Sequence, residues 1–143
     1  MSPSSPSFRL RVITPERTVV DVEAASARVP VHDGSIGILR NHAPLVAPVG
    51  IGILSVRGPD GAIQEIFVNE GFVEVRDNVV RVVSDTGERS DEVDLARAKE
   101  AEARARERLA QRLKLDLDLA RAERALLRSL ARQRLVERRA RRP

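Results

Sequence analysis

The chain has 143 residues, with 25 Lys and Arg against 21 Asp and Glu, a formal net charge of +4. That length suits one globular domain, or one small domain with an appendage. With no cysteine the chain forms no disulfide, no thiolate nucleophile and no Cys-ligated metal centre, and two His cannot supply a three-His site.

In chain order, Met1-Ser-Pro-Ser-Ser-Pro-Ser7 has neither the basic nor the apolar region of a signal peptide, and residues 1–7 are predicted to be a disordered extension. Nowhere does an apolar run approach the roughly 18 residues that span a bilayer. A soluble protein of a reducing compartment is the expectation. Phe8-Arg-Leu-Arg-Val12 alternates apolar with charged, the period-2 signature of a strand with one wet face, and Pro15 closes it. Further β-branched runs predict strands at Thr18–Val22, Ala27–Val31, Gly52–Arg57, Ala62–Asn69, Gly71–Arg76 and Val79–Ser84. Turn signals separate them: Pro30 to Gly37, Gly58-Pro-Asp-Gly61, Asn69-Glu-Gly71 and Asp77-Asn78. Short strands at this spacing favour an antiparallel β-sandwich or barrel.

Composition changes near Thr86-Gly87. All eight Gly lie between Gly34 and Gly87, and from Glu88 to Arg142 there is neither Gly nor Pro. Residues 1–86 carry 8 basic and 10 acidic side chains, net −2; residues 87–143 carry 17 and 11, net +6, which together restore +4. The first segment, 8–86, is therefore read as the sheet domain and 87–143 as a helical arm. Its Ala, Leu, Glu and Arg content predicts helices at about 91–113 and 117–140. Ser90 or Asp91 can cap the first, with acidic residues at its positive end. Lys114-Leu-Asp-Leu-Asp118 contains no Gly or Pro, so the residues permit either two antiparallel helices or one long one.

Catalytic patterns are missing. The two lysines, Lys99 and Lys114, lie in the helical part and open no phosphate loop, and neither a nucleophile elbow nor a His-Glu-x-x-His pair occurs. His32-Asp33 has no nucleophile beside it. The basic arm raises nucleic-acid binding as an alternative, but three Phe within strands, with no Trp or Tyr, offer no stacking platform. The residues point to an interaction protein rather than an enzyme.

The run Pro30-Val-His-Asp-Gly-Ser-Ile-Gly-Ile-Leu-Arg-Asn-His-Ala-Pro-Leu45, with Thr14-Pro-Glu-Arg17 before it and Asn69-Glu-Gly-Phe-Val-Glu-Val75 and Val83-Ser-Asp-Thr86 after it, resembles the epsilon subunit of F-type ATP synthase. The resemblance covers roughly residues 8–135. It implies an N-terminal β-sandwich and a C-terminal two-helix hairpin. It further implies a non-catalytic central-stalk rotor subunit that couples proton translocation to ATP synthesis and inhibits ATP hydrolysis. The implied partners are the gamma subunit and the c-subunit ring, with the alpha and beta subunits reached by the arm. Nucleic acid is not among them. Association with the membrane is only through the complex, on the cytoplasmic face of the bacterial plasma membrane.

The docking loop for gamma and the c ring would include Asp33, Gly34, Ser35, Ile36 and His42, with Ile36, Ile38 and Leu39 as its apolar stretch. Ser35 stands where the family often has Glu. Val93-Asp-Leu-Ala-Arg-Ala98 resembles the family's Ile/Leu-Asp-x-x-Arg-Ala motif, tied in some bacterial members to ATP. By that resemblance Glu88, Arg89, Val93, Asp94, Arg97, Ala98, Arg104, Arg121, Arg128 and Arg132 would form a sensor site for a regulatory ATP, no cofactor being required. Arg121, Arg124, Arg128 and Arg132 fall on one helical stripe able to contact phosphate, provided the helices fold back. A solvated, ion-paired helix face would have the same spacing.

Overall fold

The computed structural model describes residues 6–111 and 116–141, which divide into two compact units, Met1–Arg89 and Ser90–Pro143. The first unit is built from β1 (Phe8–Ile13), β2 (Thr18–Ala24), β3 (Ser26–Val31), β4 (Gly34–Leu39), β5 (Leu45–Arg57), β6 (Ile63–Arg76) and β7 (Val79–Arg89). They join in one sheet of order β2-β1-β7-β6-β5-β3-β4. All neighbours run antiparallel except β1 and β7, which are parallel with Arg9 opposite Val79 and Ile13 opposite Val83. The expected antiparallel sandwich thus includes one parallel pair, where the first and last strands meet through five intervening strands instead of a hairpin.

One apolar cluster joins side chains from every strand: Leu10 and Val12 of β1, Val20 of β2, Val29 of β3, Ile38 of β4, Leu54 of β5, Ile66 and Val73 of β6, and Val80 and Val82 of β7. A single cluster fed from both ends of a seven-stranded sheet requires the sheet to fold over on itself. β5 and β6 are long enough to serve both layers, and the side-chain parity shows where they bend. Ile66 and Val68 point inward before the bend, Val73 and Val75 after it, so the inward face changes from even to odd positions across Glu70 (φ 56) and Gly71 (φ 122). β5 makes the reverse change, from odd to even, between Val49 and Leu54. A Cβ on Gly50 would lie 2.9 Å from the Val31 carbonyl carbon, so glycine there lets the end of β3 approach.

The strands extend beyond the β-branched runs for identifiable reasons. Asn69-Glu-Gly71 is a bend inside β6 rather than a turn: Asn69 still pairs with Thr86 and Gly71 with Ser84. β7 accordingly runs to Arg89, three residues past the Thr86 end of the predicted sheet domain. Gly34–Leu39, expected as loop, is edge strand β4, paired along its length to β3. Pro30, lacking an N–H, has no partner in β5, and the β3–β5 ladder spans Ser26 to Arg28. The Gly58–Gly61 and Asp77–Asn78 turns stand as expected, the latter with φ of 52° and 61° at its two central residues. Of the predicted disordered extension, residues 1–5 lie outside the described residues. Ser7 is ordered: its hydroxyl donates to Glu23 (2.9 Å) and its carbonyl accepts from Asn78 Nδ2 (3.0 Å).

The second unit begins with a 3-10 turn, Ser90–Glu92, followed by α1 (Leu95–Ala110) and α2 (Asp116–Arg141). The Asp94 side chain caps α1 by accepting from the Arg97 N–H (3.1 Å), which starts the helix four residues later than expected. The two helices pack as an antiparallel hairpin, since Gln133 meets Glu102 and, further along α2, Arg139 meets Ser90. Its buried side chains are Ala98 and Ala105 of α1 and Ala122, Ser129, Ala131 and Leu135 of α2, small ones predominating. The Ser129 hydroxyl donates to Leu126 O (2.8 Å) within its own helix, so its burial strands no polar group. Of the predicted break at 114–118, residues 114 and 115 lie outside the described residues.

Candidate functional site

The sheet unit presents an outward face whose rows follow from strand register. Pro48, Phe72, Val83 and Ile13 stand opposite one another across β5, β6, β7 and β1. The next row is Val46, Glu74, Arg81, Arg11 and Asp21. A third holds Arg76, Val79, Arg9 and Glu23. The face thus grades from apolar to charged. Arg9 Nε contacts Asp21 Oδ1 at 2.6 Å and Nη1 reaches Glu23 at 3.6 Å, closing the charged side. The hydrogen bond from Arg9 holds the Asp21 carboxyl below its usual range. A shallow groove of about 300 Å³ lies over Glu74, Arg76, Val79 and Arg81. On the apolar side Phe72 is 43% exposed and Val46 72%. Large apolar side chains side by side on the outer face of a sheet make this the candidate interaction surface of the unit.

The sequence alone concealed this face. Phe72 lies in an apolar run, and only the parity change at Glu70-Gly71 turns it outward while Val73 goes to the core.

The docking residues expected as one loop are distributed differently. Asp33, Gly34 and Ser35 occupy the β3–β4 turn and the start of β4, all exposed. His42 lies beyond the opposite end of β4, six residues and roughly 17 Å of strand away. Strand alternation sends Ile38 into the core and packs Ile36 against it, leaving Leu39 exposed. Of the three, Ile38 belongs to the core, Ile36 is half-buried against it, and Leu39 is the one open to solvent. The His42 end is held firmly, because Asn78 Oδ1 accepts from Asn41 N (2.7 Å) while its Nδ2 donates to Ser7 O. His42 N donates to Leu39 O (3.2 Å), and its ring Nδ1 lies 2.7 Å from Ala43 O.

The ten residues expected around a nucleotide divide between the units. Glu88 and Arg89 end β7; Val93 to Arg132 belong to the helical unit. Asp94 is engaged as the α1 cap, and it meets Arg97 through that residue's backbone N–H rather than its guanidinium. Ala98 is 4% exposed in the seam, so its side chain packs on α2.

The arginines do come together by side. At 100° per residue, Arg97, Arg104 and Arg108 stand about 100° of rotation from the seam on α1, with Glu100 among them. Arg121, Arg124, Arg128 and Arg132 have a similar offset of the same sense on α2. Antiparallel helices sharing a seam are related by a two-fold axis perpendicular to both, so equal offsets face the same broad side of the hairpin. Arg97, Arg104, Arg121 and Arg124 are exposed, Arg128 and Arg132 half-buried. Several guanidinium forks facing one way suit an oligoanion. Among the described residues no cluster of His, Asp and Glu could hold a metal ion.

Residues 7–90 match the family described as ATP synthase, Delta/Epsilon chain, beta-sandwich domain, and residues 91–137 match its long alpha-helix domain. An ATP synthase epsilon chain of Symbiobacterium thermophilum is 48% identical over 126 residues, covering 87% of this chain and 89% of its own. One from Desulfitobacterium hafniense is 44% identical, covering 88% and 93%. Among solved structures, a chain of the Euglena gracilis mitochondrial ATP synthase OSCP/F1/c-ring assembly superposes with a TM-score of 0.77 at 19% identity, covering 97% of this chain and 84% of that one. A chain of the Tetrahymena thermophila mitochondrial ATP synthase central stalk and c-ring gives 0.60 at 10% identity, covering 90% and 95%. The chain belongs to the ATP synthase delta/epsilon family, and the border between the family's two domains falls within a residue of the border between its sheet and helical units.

Proposed function

We propose that the chain is a non-catalytic central-stalk rotor subunit whose sheet unit docks on gamma and the c ring and whose helical arm restrains ATP hydrolysis. The observation that carries the docking is the outward apolar row of Pro48, Phe72, Val83 and Ile13 with Val46 beside it. Gamma would cover that row, and the exposed Asp33–Ser35 turn would meet the c ring. Docked this way, the subunit turns with the shaft. It sits at the membrane through the complex, on the cytoplasmic face; among the described residues no helix is long and apolar enough to cross a bilayer.

Restraint would come from the arm. Its net charge of +6 over residues 87–143 suits acidic surfaces on alpha and beta when the helices part. A seam of Ala and Ser buries little area per residue, so closed and open forms can lie within a few kcal/mol. Removing residues 90–143 is expected to raise ATP hydrolysis by the assembled complex several-fold while proton coupling persists. Unchanged hydrolysis would remove the restraint and leave docking intact.

ATP would bind the arginine side of the closed hairpin and hold it closed by mass action. Since Asp94 caps α1, its replacement would weaken the helix whether or not nucleotide binds, and Arg128 is the cleaner probe. Arg128→Ala is expected to weaken ATP binding to the full chain ten-fold or more, about 1.4 kcal/mol, by calorimetry. No heat from the unmodified chain at millimolar ATP would end this reading.

A further inference from the structure

We propose that Glu102 and Gln133 form a reversible clasp that holds the helical hairpin closed, with Arg106 keeping the carboxylate paired when the hairpin opens. Gln133 Nε2 donates to Glu102 Oε1 at 2.8 Å, joining α2 to α1 across 31 residues of sequence. The other carboxylate oxygen, Oε2, accepts from Arg106 Nε at 2.7 Å, four residues along the same helix. The division of labour between the two oxygens is the device. Parting the helices breaks the Gln133 bond, leaves a neutral amide on α2 and leaves Glu102 with its intrahelical partner.

The position suits the role. The Glu102 side chain is 23% exposed while Arg106 is 58% exposed, so the Gln133 side is the sheltered one. The buried Ala98, Ala105, Ala122 and Ser129 permit close approach of the helices, and α2 also buries Ala131 and Leu135. A hydrogen bond from α2 to a charged carboxylate on α1 is stronger than one between neutral groups, so it adds to what closes the hairpin. The carboxyl is held below its usual range, first by Gln133 and next by Arg106, which keeps it ionised and accepting. A further bond from α2, Arg139 Nη1 to Ser90 Oγ at 3.2 Å, is exposed and longer.

The clasp rests on the arm having an opened state, but its test needs neither nucleotide nor the ATP synthase complex. The chain has no cysteine, so Ser129→Cys places one buried thiol of nearly unchanged size in the seam. Its modification rate by a thiol reagent, in the full chain, then reports how often the hairpin opens. Q133E sets two carboxylates face to face and should raise that rate about five-fold or more. The exchanged pair E102Q/Q133E restores the bond with reversed polarity and should return the rate to within about two-fold of the parent. R106A should leave it within about two-fold, separating the clasp from general support of α1. An unchanged rate in Q133E, or an exchanged pair no slower than Q133E, would overturn the clasp. Either result leaves the hydrolysis effect of arm removal as a separate question.

Discussion

Gly71→Ala is expected to destabilise the sheet unit by on the order of 3–5 kcal/mol, enough to unfold it at moderate temperature. The added Cβ would stand 1.9 Å from the Val83 carbonyl oxygen, an atom fixed in the β6–β7 ladder, and φ of 122° is a conformation that L side chains rarely adopt. Neither problem yields to a side-chain rotation. Relief would require moving the bend, and with it the parity change that sends Val73 and Val75 inward. Gly37→Ala is the matched control, since nothing lies within 4 Å of a Cβ there, and it should stay within about 0.5 kcal/mol. Urea unfolding followed by circular dichroism measures both, the chain having neither Trp nor Tyr for fluorescence. Equal stability of the two variants would mean that β6 does not bend at Gly71.

Val46→Asp, alone and combined with Phe72→Ser, is expected to weaken capture by the gamma subunit by about 30-fold or more, the effect of losing an interface anchor of about 2 kcal/mol. Val46 is 72% exposed, so Asp there strands no charge in the core and the isolated chain should lose no more than about 0.5 kcal/mol. On the assembled surface the same carboxylate would be desolvated against whatever covers Pro48 and Phe72. The contrast between unchanged folding and lost binding is the signature of an interface. Binding to gamma within a factor of two of the parent would place the docking surface elsewhere on the sheet unit.

Most strands could be read from the sequence because their signals are local. Phe8–Val12 alternates cleanly, and the Asp77-Asn78 turn carries residues that tolerate positive φ. The exceptions lie where a local signal has two meanings. Asn69-Glu-Gly71 has turn composition, yet the chain bends without reversing, because β7 continues alongside it. Gly34-Ser-Ile-Gly-Ile-Leu39 has loop composition, yet two glycines on an edge strand weaken a ladder without forbidding it. The site was less legible than the fold. Ile36 and Ile38 could be assigned to core or surface only once β4 was known as a strand. Asp94 and Arg97 stand three apart in the sequence, and only the structure shows that their contact joins a carboxylate to a backbone N–H.

By itself the sequence determined the partition: a strand-forming, Gly- and Pro-containing part followed by a helical arm free of both, with the charge difference between them. Backbone propensity and side-chain period act within a few residues, and a linear pattern carries them in full. Only the tertiary structure decided which face of each strand is core, that β1 lies parallel beside β7, and that Glu102 meets Gln133. Those choices depend on long-range pairing. A single bend at Gly71 exchanges inward for outward along all that follows, and a helix reveals its inner stripe only when a second helix lies against it.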